Sequence, residues 1–415
     1  WAGPLDSMFR VSQAGELRGL NLRAPPGRHV GIVYGLTRLQ DGSEPFGDAG
    51  ADLRYAITPG VNFSGTLNPD FATIEADQEQ VNLTRFELSL PEKRPFFLEG
   101  GELFRQRIRT FYSRRISDIQ GGAKVIGKEG PWTFALLGAL AEDTEEGESL
   151  TYQVARAQRD IGRSSVALTW ADRRVGGTGD GSVGLDATLF FSSTLGFTGQ
   201  LIRSYGAEED GVWAFFVRPS YDSPTGHFHV RYTHLGENFA ENANGIGFIR
   251  DDNRKELDSA LSKTFWIRRG FLERLAYGSN YNWYWGQEGT LRSWKIDESL
   301  DADFRSRWSA RVAHTEEFKG EYLPRFEKDF RNRSTTLRAG YNTREYQSLS
   351  ANYRFGRNYD ADFQLVSGSA SYKPTAESAL EYELQRLVLD PDPDDDTTWI
   401  HVVRANQFFT SDLYL

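Results

Sequence analysis

Three carboxylates at alternate positions, Glu75, Asp77 and Glu79, are the densest chemistry in the chain. In an extended backbone, side chains two apart project to the same side, so these three would crowd together. Crowded carboxylates bind Ca²⁺ through oxygen ligands, or share acid and base work in glycoside cleavage. The plainer reading is an acidic wall neutralised by arginines. Asp70, Glu87, Glu92, Glu99 and Glu102 surround the triplet, against Arg85, Lys93 and Arg94, and Arg107, Arg109, Arg114 and Arg115 follow closely. Acids and arginines so near in sequence are expected to pair across a polar interior. We take Asp70, Glu75, Asp77, Glu79, Arg85, Glu87, Arg94, Glu99, Glu102, Arg107, Arg109, Arg114 and Arg115 as residues that line and gate a lumen.

Two further groups have metal-ligand character. Asp390, Asp392 and Asp394 form a loose calcium-type run, but it lacks the glycine and terminal glutamate of an EF-hand. A hydrated loop is the plainer account. His227 and His229 stand two apart, beside Arg231, which suits a metal in a strand. No third ligand is evident, so a polar wall is preferred. The chain has no cysteine, which removes disulfides, thiolate sites and cysteine nucleophiles. Nucleophile elbow, phosphate loop, dinucleotide fingerprint and HExxH are absent. An enzyme is therefore not the favoured reading, and no cofactor is implied beyond Ca²⁺ at the aspartate run.

The elements that must position these groups are strands. Aromatics make up 13% of the 415 residues, yet the mean hydropathy is negative. That combination is odd for a soluble core. It suits a barrel with an apolar outside, aromatic girdles and a wet interior. The longest apolar run, 134–141, falls far short of the ~20 residues of a membrane helix. A chain of this kind crosses lipid only as strands, because every backbone group must be satisfied there. The net charge of −10 argues against nucleic acid as a partner.

Alternation recurs along the chain. Val30, Ile32, Tyr34 and Leu36 fall on one face, as do Val166, Leu168 and Trp170, then Phe228, Val230 and Tyr232, then Leu275, Tyr277, Tyr281, Trp283 and Trp285. Segments run to the ~9–11 residues that a tilted membrane strand needs, about twenty of them by our count. The side chains assigned to lipid are Trp170, Phe228, Tyr232, Tyr277, Tyr281, Trp283, Trp285, Trp294, Phe304, Tyr341 and Tyr353. Glu298 interrupts the last part of the pattern and is placed beyond the lipid band. Residues 107–116 read as a strand with a basic edge, 72–86 as a short helix or inward loop, and 236–254 as a long loop.

The run NPDFATIEADQEQVNLTRFE, followed by PEKRPFFLEGGELF, FYSRRI and GGAKVIGK, resembles a family of uncharacterised bacterial envelope proteins. The resemblance is strong over 51–128 and weaker to Leu415. Family members join an N-terminal carbohydrate-binding family 9-like module to an outer-membrane β-barrel. It therefore implies fold and location but no catalytic residues.

The expectation is an all-β chain: a large antiparallel transmembrane β-barrel of about 20 or more strands over 17–415, after a lead-in segment 1–16. Residues 68–104 form an inward segment. Trp1 and Leu415 read as cut ends. Function is expected to be that of a pore, receptor or assembly scaffold in the bacterial outer membrane. The alternatives are an envelope glycan hydrolase using the 75–102 carboxylates, or a plugged anchor for a surface sugar-binding module. Expected partners are outer-membrane lipid and lipopolysaccharide, with glycans or other envelope proteins as further candidates.

Overall fold

The computed structural model describes residues 29–38, 46–69, 80–82, 86–116, 119–142, 149–320, 329–391 and 397–408. Twenty strands occur among them: β1 (His29–Arg38), β2 (Phe46–Thr58), β3 (Val61–Leu67), β4 (Ile119–Glu129), β5 (Trp132–Glu142), β6 (Ser149–Ile161), β7 (Ser164–Val175), β8 (Thr178–Phe190), β9 (Leu195–Tyr205) and β10 (Trp213–Ser223). The series continues with β11 (Gly226–Leu235), β12 (Arg254–Arg269), β13 (Leu272–Gly286), β14 (Leu291–Phe304), β15 (Trp308–Lys319), β16 (Phe330–Tyr341), β17 (Ser348–Asn358), β18 (Ala361–Tyr372), β19 (Ser378–Asp390) and β20 (Thr398–Gln407). Each pairs antiparallel with the next, giving one meandering sheet in chain order. All but β3 have ten residues or more, against ~5–6 in ordinary soluble strands.

The two ends of the sheet differ. One carries tight turns such as 59–60, 130–131 and 162–163, where Gly162 takes the left-handed conformation (φ 62°) that glycine enters without penalty. The other end carries the long connections 68–118 and 236–253.

The two faces differ more. Cross-strand partners hold a face from strand to strand, so the rung Val217–Tyr232–Leu257–Trp283–Trp294–Phe318 lies on one side. This side is bare among the described residues: Leu185 is 58% exposed, Val312 51% and Phe265 50%. The neighbouring rung Phe216–Thr233–Glu256–Tyr284 lies on the other side. That side is covered in its β3–β10 part by residues 86–116 and the 236–253 connection, and there Lys124, Thr169 and Ser182 are at most 2% exposed. A soluble sheet buries its apolar face and wets its polar one. Here a broad apolar face is left bare.

Two apolar clusters sit on the covered face. Phe96, Phe97, Phe104, Phe111 and Ile116 pack with Leu137, Tyr152, Val154 and Ile246. Ile108 packs with Ile202, Phe216, Leu235 and Phe239.

Several expectations are corrected. Residues 107–116 do not form a strand. They run extended into a 3₁₀ turn (Ser113–Arg115), and their backbone bonds go to the 246–248 loop: Tyr112 N–H donates to Ile246 O and Phe248 N–H to Arg109 O, both at 2.8 Å. Alternating arginines imitate a strand's period without a ladder partner. The 236–253 connection is no open loop. It holds a short helix whose Phe239 and Ala243 are fully buried. Glu298 does not lie past the end of the apolar band. It sits mid-strand in β14 on the bare face, opposite Ser279, where the hydroxyls of Tyr277, Ser279 and Tyr281 donate to it at 2.6, 2.8 and 2.9 Å. Cross-strand hydroxyls on β13 solvate the carboxylate, and alternation within one strand cannot reveal them. The readings for 1–28 and most of 72–86 fall outside the described residues.

Candidate functional site

The 86–116 segment is held by its own sequence before it meets the wall. Pro95 opens α1 (Pro95–Leu98), where its missing N–H costs nothing. Phe96 and Phe97 pack edge-on at 5.0 Å. Gly100, at φ 70°, turns the chain into the 3₁₀ turn Gly101–Phe104. A Cβ there would meet only the tip of the Ile126 side chain, at 2.4 Å, so it is the left-handed φ that calls for glycine.

Two buried cations fix this piece. The Lys124 ammonium, from β4, donates to the carbonyls of Phe96 and Glu99 at 2.5 Å each. These carbonyls end α1 and have no intrahelical donor. Arg94 donates to Ile116 O (2.7 Å) and Ser113 O (2.5 Å), grips both oxygens of Glu92 (2.9 and 2.8 Å), and lies over the Phe97 ring at 4.3 Å. Burial alone would raise the Glu92 carboxyl, but donors from Arg94 and Ser113 outweigh it and hold it below the usual carboxylate range. Further along, Ile108 exchanges two bonds with the Gln200 amide, at 2.9 and 3.3 Å.

The other residues expected to line and gate a lumen are spread rather than gathered. Arg115 pairs with Glu87 at 2.7 Å. Glu99 accepts from Ser64 at 3.3 Å and faces Arg54 at 3.7 Å. Glu102 and Arg107 are exposed and Arg114 is half-buried. Arg109 donates to Ser89 at 2.7 Å and lies over the rings of Tyr112 and Phe248. Asp70, Glu75, Asp77, Glu79 and Arg85 lie outside the described residues, as do Asp392 and Asp394. Asp390 is a ladder partner of Asp362. Among the described residues no group of three or more His, Asp or Glu is arranged to hold a metal. The eleven aromatics from Trp170 to Tyr353 all share the bare face by register.

The histidines belong to a longer chain of contacts on the polar face. Asp222 Oδ1 meets His227 Nδ1 at 2.5 Å, His227 Nε2 meets His229 Nδ1 at 2.7 Å, and His229 Nε2 meets Asp258 Oδ2 at 2.8 Å. Arg231 extends it to Asp258 (2.8 Å) and Glu256 (2.5 Å). Sequence spacing brought out His227, His229 and Arg231. It missed Asp222, Glu256 and Asp258, which arrive from the adjoining strands.

Between the segment, the 236–253 connection and β10–β13 lies a cavity of roughly 480 Å³. Arg107, Arg109, Arg231, Arg250 and Arg254 line it, against Asp251 and Glu256. Nearby, Asp252 accepts from the Ala240 N–H at 2.7 Å, and burial pushes its carboxyl up.

Residues 36–128 match the model of a domain of unknown function (DUF5916). No curated protein matches the chain. Among solved structures it is similar to Pseudomonas aeruginosa OccK10 (OpdN), at 11% identity and a TM-score of 0.43 over 70% of this chain and 94% of that one. P. aeruginosa OpdQ gives 9% and 0.43 over 91% and 97%. Acinetobacter baumannii OccAB2 gives 9% and 0.43 over 70% and 89%.

Proposed function

We propose that the chain is an outer-membrane β-barrel acting as a pore in a bacterial envelope, with a lumen narrowed by residues 86–116. One observation carries this: long strands that leave a broad apolar face bare and turn polar and charged groups such as Lys124, Arg156, Arg231 and Glu256 to the other side. Only a solvent of hydrocarbon makes that arrangement favourable, at ~25 cal/mol for each Å² of apolar surface kept from water. The aromatics of the bare face then stand against outer-membrane lipid, lipopolysaccharide included. The short turns face the periplasm and the long connections the outside, as in other barrels.

The firm docking of the segment also supports a plugged wall that anchors a surface module, and the family resemblance supplies a sugar-binding one. Planar-bilayer recording separates the two. Stepwise conductance from purified protein supports the pore, and a silent bilayer containing inserted protein supports the anchor. A monodisperse folded chain in detergent-free buffer would overturn both.

A further inference from the structure

We infer that arginines on the bare face bind the phosphate groups of membrane lipid, at a site centred on Arg331, Arg333 and Arg357. The inference rests on the barrel reading above, since it needs lipid beside that face. The register places the arginines. Arg331 continues the bare rung past Phe318, and Arg386 ends the bare rung Val312–Leu337–Tyr353–Val366. Arg331 is thus the ladder partner of Phe318, Arg203 of Trp213 and Arg386 of Trp399. Each guanidinium lies over its partner's ring, at 5.8, 6.0 and 5.4 Å, and Arg331 also covers Trp294 at 5.8 Å. All three pairs fall in the first or last five residues of their strands, at the end that carries the long connections. Outward rings at the border of an apolar band mark the headgroup level of a bilayer, which is where lipid phosphates lie.

Charge points the same way. On the opposite face Arg156 meets Asp186 at 2.5 Å, Arg231 meets Glu256 at 2.5 Å and Arg274 meets Asp303 at 2.7 Å. Arg203, Arg331, Arg333 and Arg386 have no ion pair among the described residues. Arg333 also stands directly opposite Arg357 on the adjoining strand, and like charges so placed repel. Acids close by leave that repulsion in place. Glu316, the partner of Arg333 on β15, stands 3.6 Å from His314, and Asp362 stands 3.9 Å from Arg357. Water solvates a single arginine, but an anion also offsets two opposed ones. Ring stacking occupies the face of the Arg331 guanidinium and leaves its N–H edges free, the geometry in which arginine grips phosphate with two parallel bonds. The rings beside it give the acyl part of the same lipid an apolar wall.

The test is native mass spectrometry of the full chain released from detergent, titrated with diphosphoryl lipid A and, as a phosphate-free control, with diacylglycerol. Lipid A is expected to bind and diacylglycerol to leave no adduct. Arg331→Gln with Arg333→Gln, both at exposed positions, should weaken lipid A binding about thirtyfold, the effect of two charges lost from contact with a lipid surface. Arg338→Gln, on β16 but on the opposite face, should leave it unchanged. Equal binding of the two lipids, or unchanged affinity in the double variant, overturns the inference. Insertion into phosphatidylglycerol vesicles reports separately on the barrel. A chain that stays out of them overturns that reading, whereas one that inserts and still binds lipid A no better than diacylglycerol overturns the lipid site alone.

Discussion

Lys124→Met isolates what holds the inward segment to the wall. Methionine keeps most of the buried stem and removes the ammonium. The carbonyls of Phe96 and Glu99 then lose the donors that Lys124 supplies. Each buried acceptor left without a partner costs about 1–3 kcal/mol. Removing the buried charge returns part of that, since Lys124 is 1% exposed and its desolvation opposes docking. A net loss of about 3 kcal/mol in docking corresponds to roughly a hundredfold rise in the population of opened segment. Amide hydrogen exchange on protein in detergent reads this directly. Amides of 95–104 should exchange about two orders of magnitude faster, while those of β6–β9 stay as in wild type. Lys128→Met is the control, because Lys128 is exposed and pairs with Asp160 at a turn. If exchange at 95–104 is unchanged in Lys124→Met, the ammonium is not the anchor and the segment is held by its phenylalanines alone. If β6–β9 speeds up equally, the lysine supports the sheet and not the segment.

Leu185→Arg, on the bare face, should cost about 2–4 kcal/mol in urea unfolding from lipid vesicles, whereas the same change at Glu129, beside a turn, should cost little. Equal costs would mean that hydrocarbon does not cover Leu185. The Glu92 carboxyl, depressed by Arg94 and Ser113, adds to docking at neutral pH and loses that contribution as pH falls below the ordinary 4.5 through its lowered value. Exchange at 91–116 should therefore rise in acid, and Glu92→Gln should abolish that rise. Asp252 has the opposite sign. Its carboxyl is raised above the ordinary 3.8, so its contribution is complete in acid and is lost as pH rises through the folded value. Amides of the helix at 239–243 should gain protection on acidification.

The strands were legible because each needs one apolar face, and a two-residue period records that need locally. The hairpins at Pro59–Gly60 and 130–131 could be read for the same reason. The inward segment was legible only as an interruption. Its anchors are a lysine from β4 and a glutamine from β9 that bind backbone, and no local pattern encodes a partner that distant. Residues 107–116 misled because R-I-R-T-F alternates like a strand, while Ile108, Thr110 and Phe111 are buried whichever side they face. Glu298 misled because its solvation comes from hydroxyls on the adjoining strand.

The meander has a consequence for biogenesis. Every ladder joins consecutive strands, so the wall can form hairpin by hairpin with little loop-closure cost. The inward segment breaks that locality: Ile108 meets Gln200 across 92 positions, and Arg115 meets Gly247 across 132. During synthesis, Ile108 waits for Gln200 and Ile202, and Tyr112 for Ile246 and Phe248, before its lodging is complete. Through that interval the nascent polypeptide displays part of its aromatic surface to its surroundings, and a holdase chaperone would be of most use to it then.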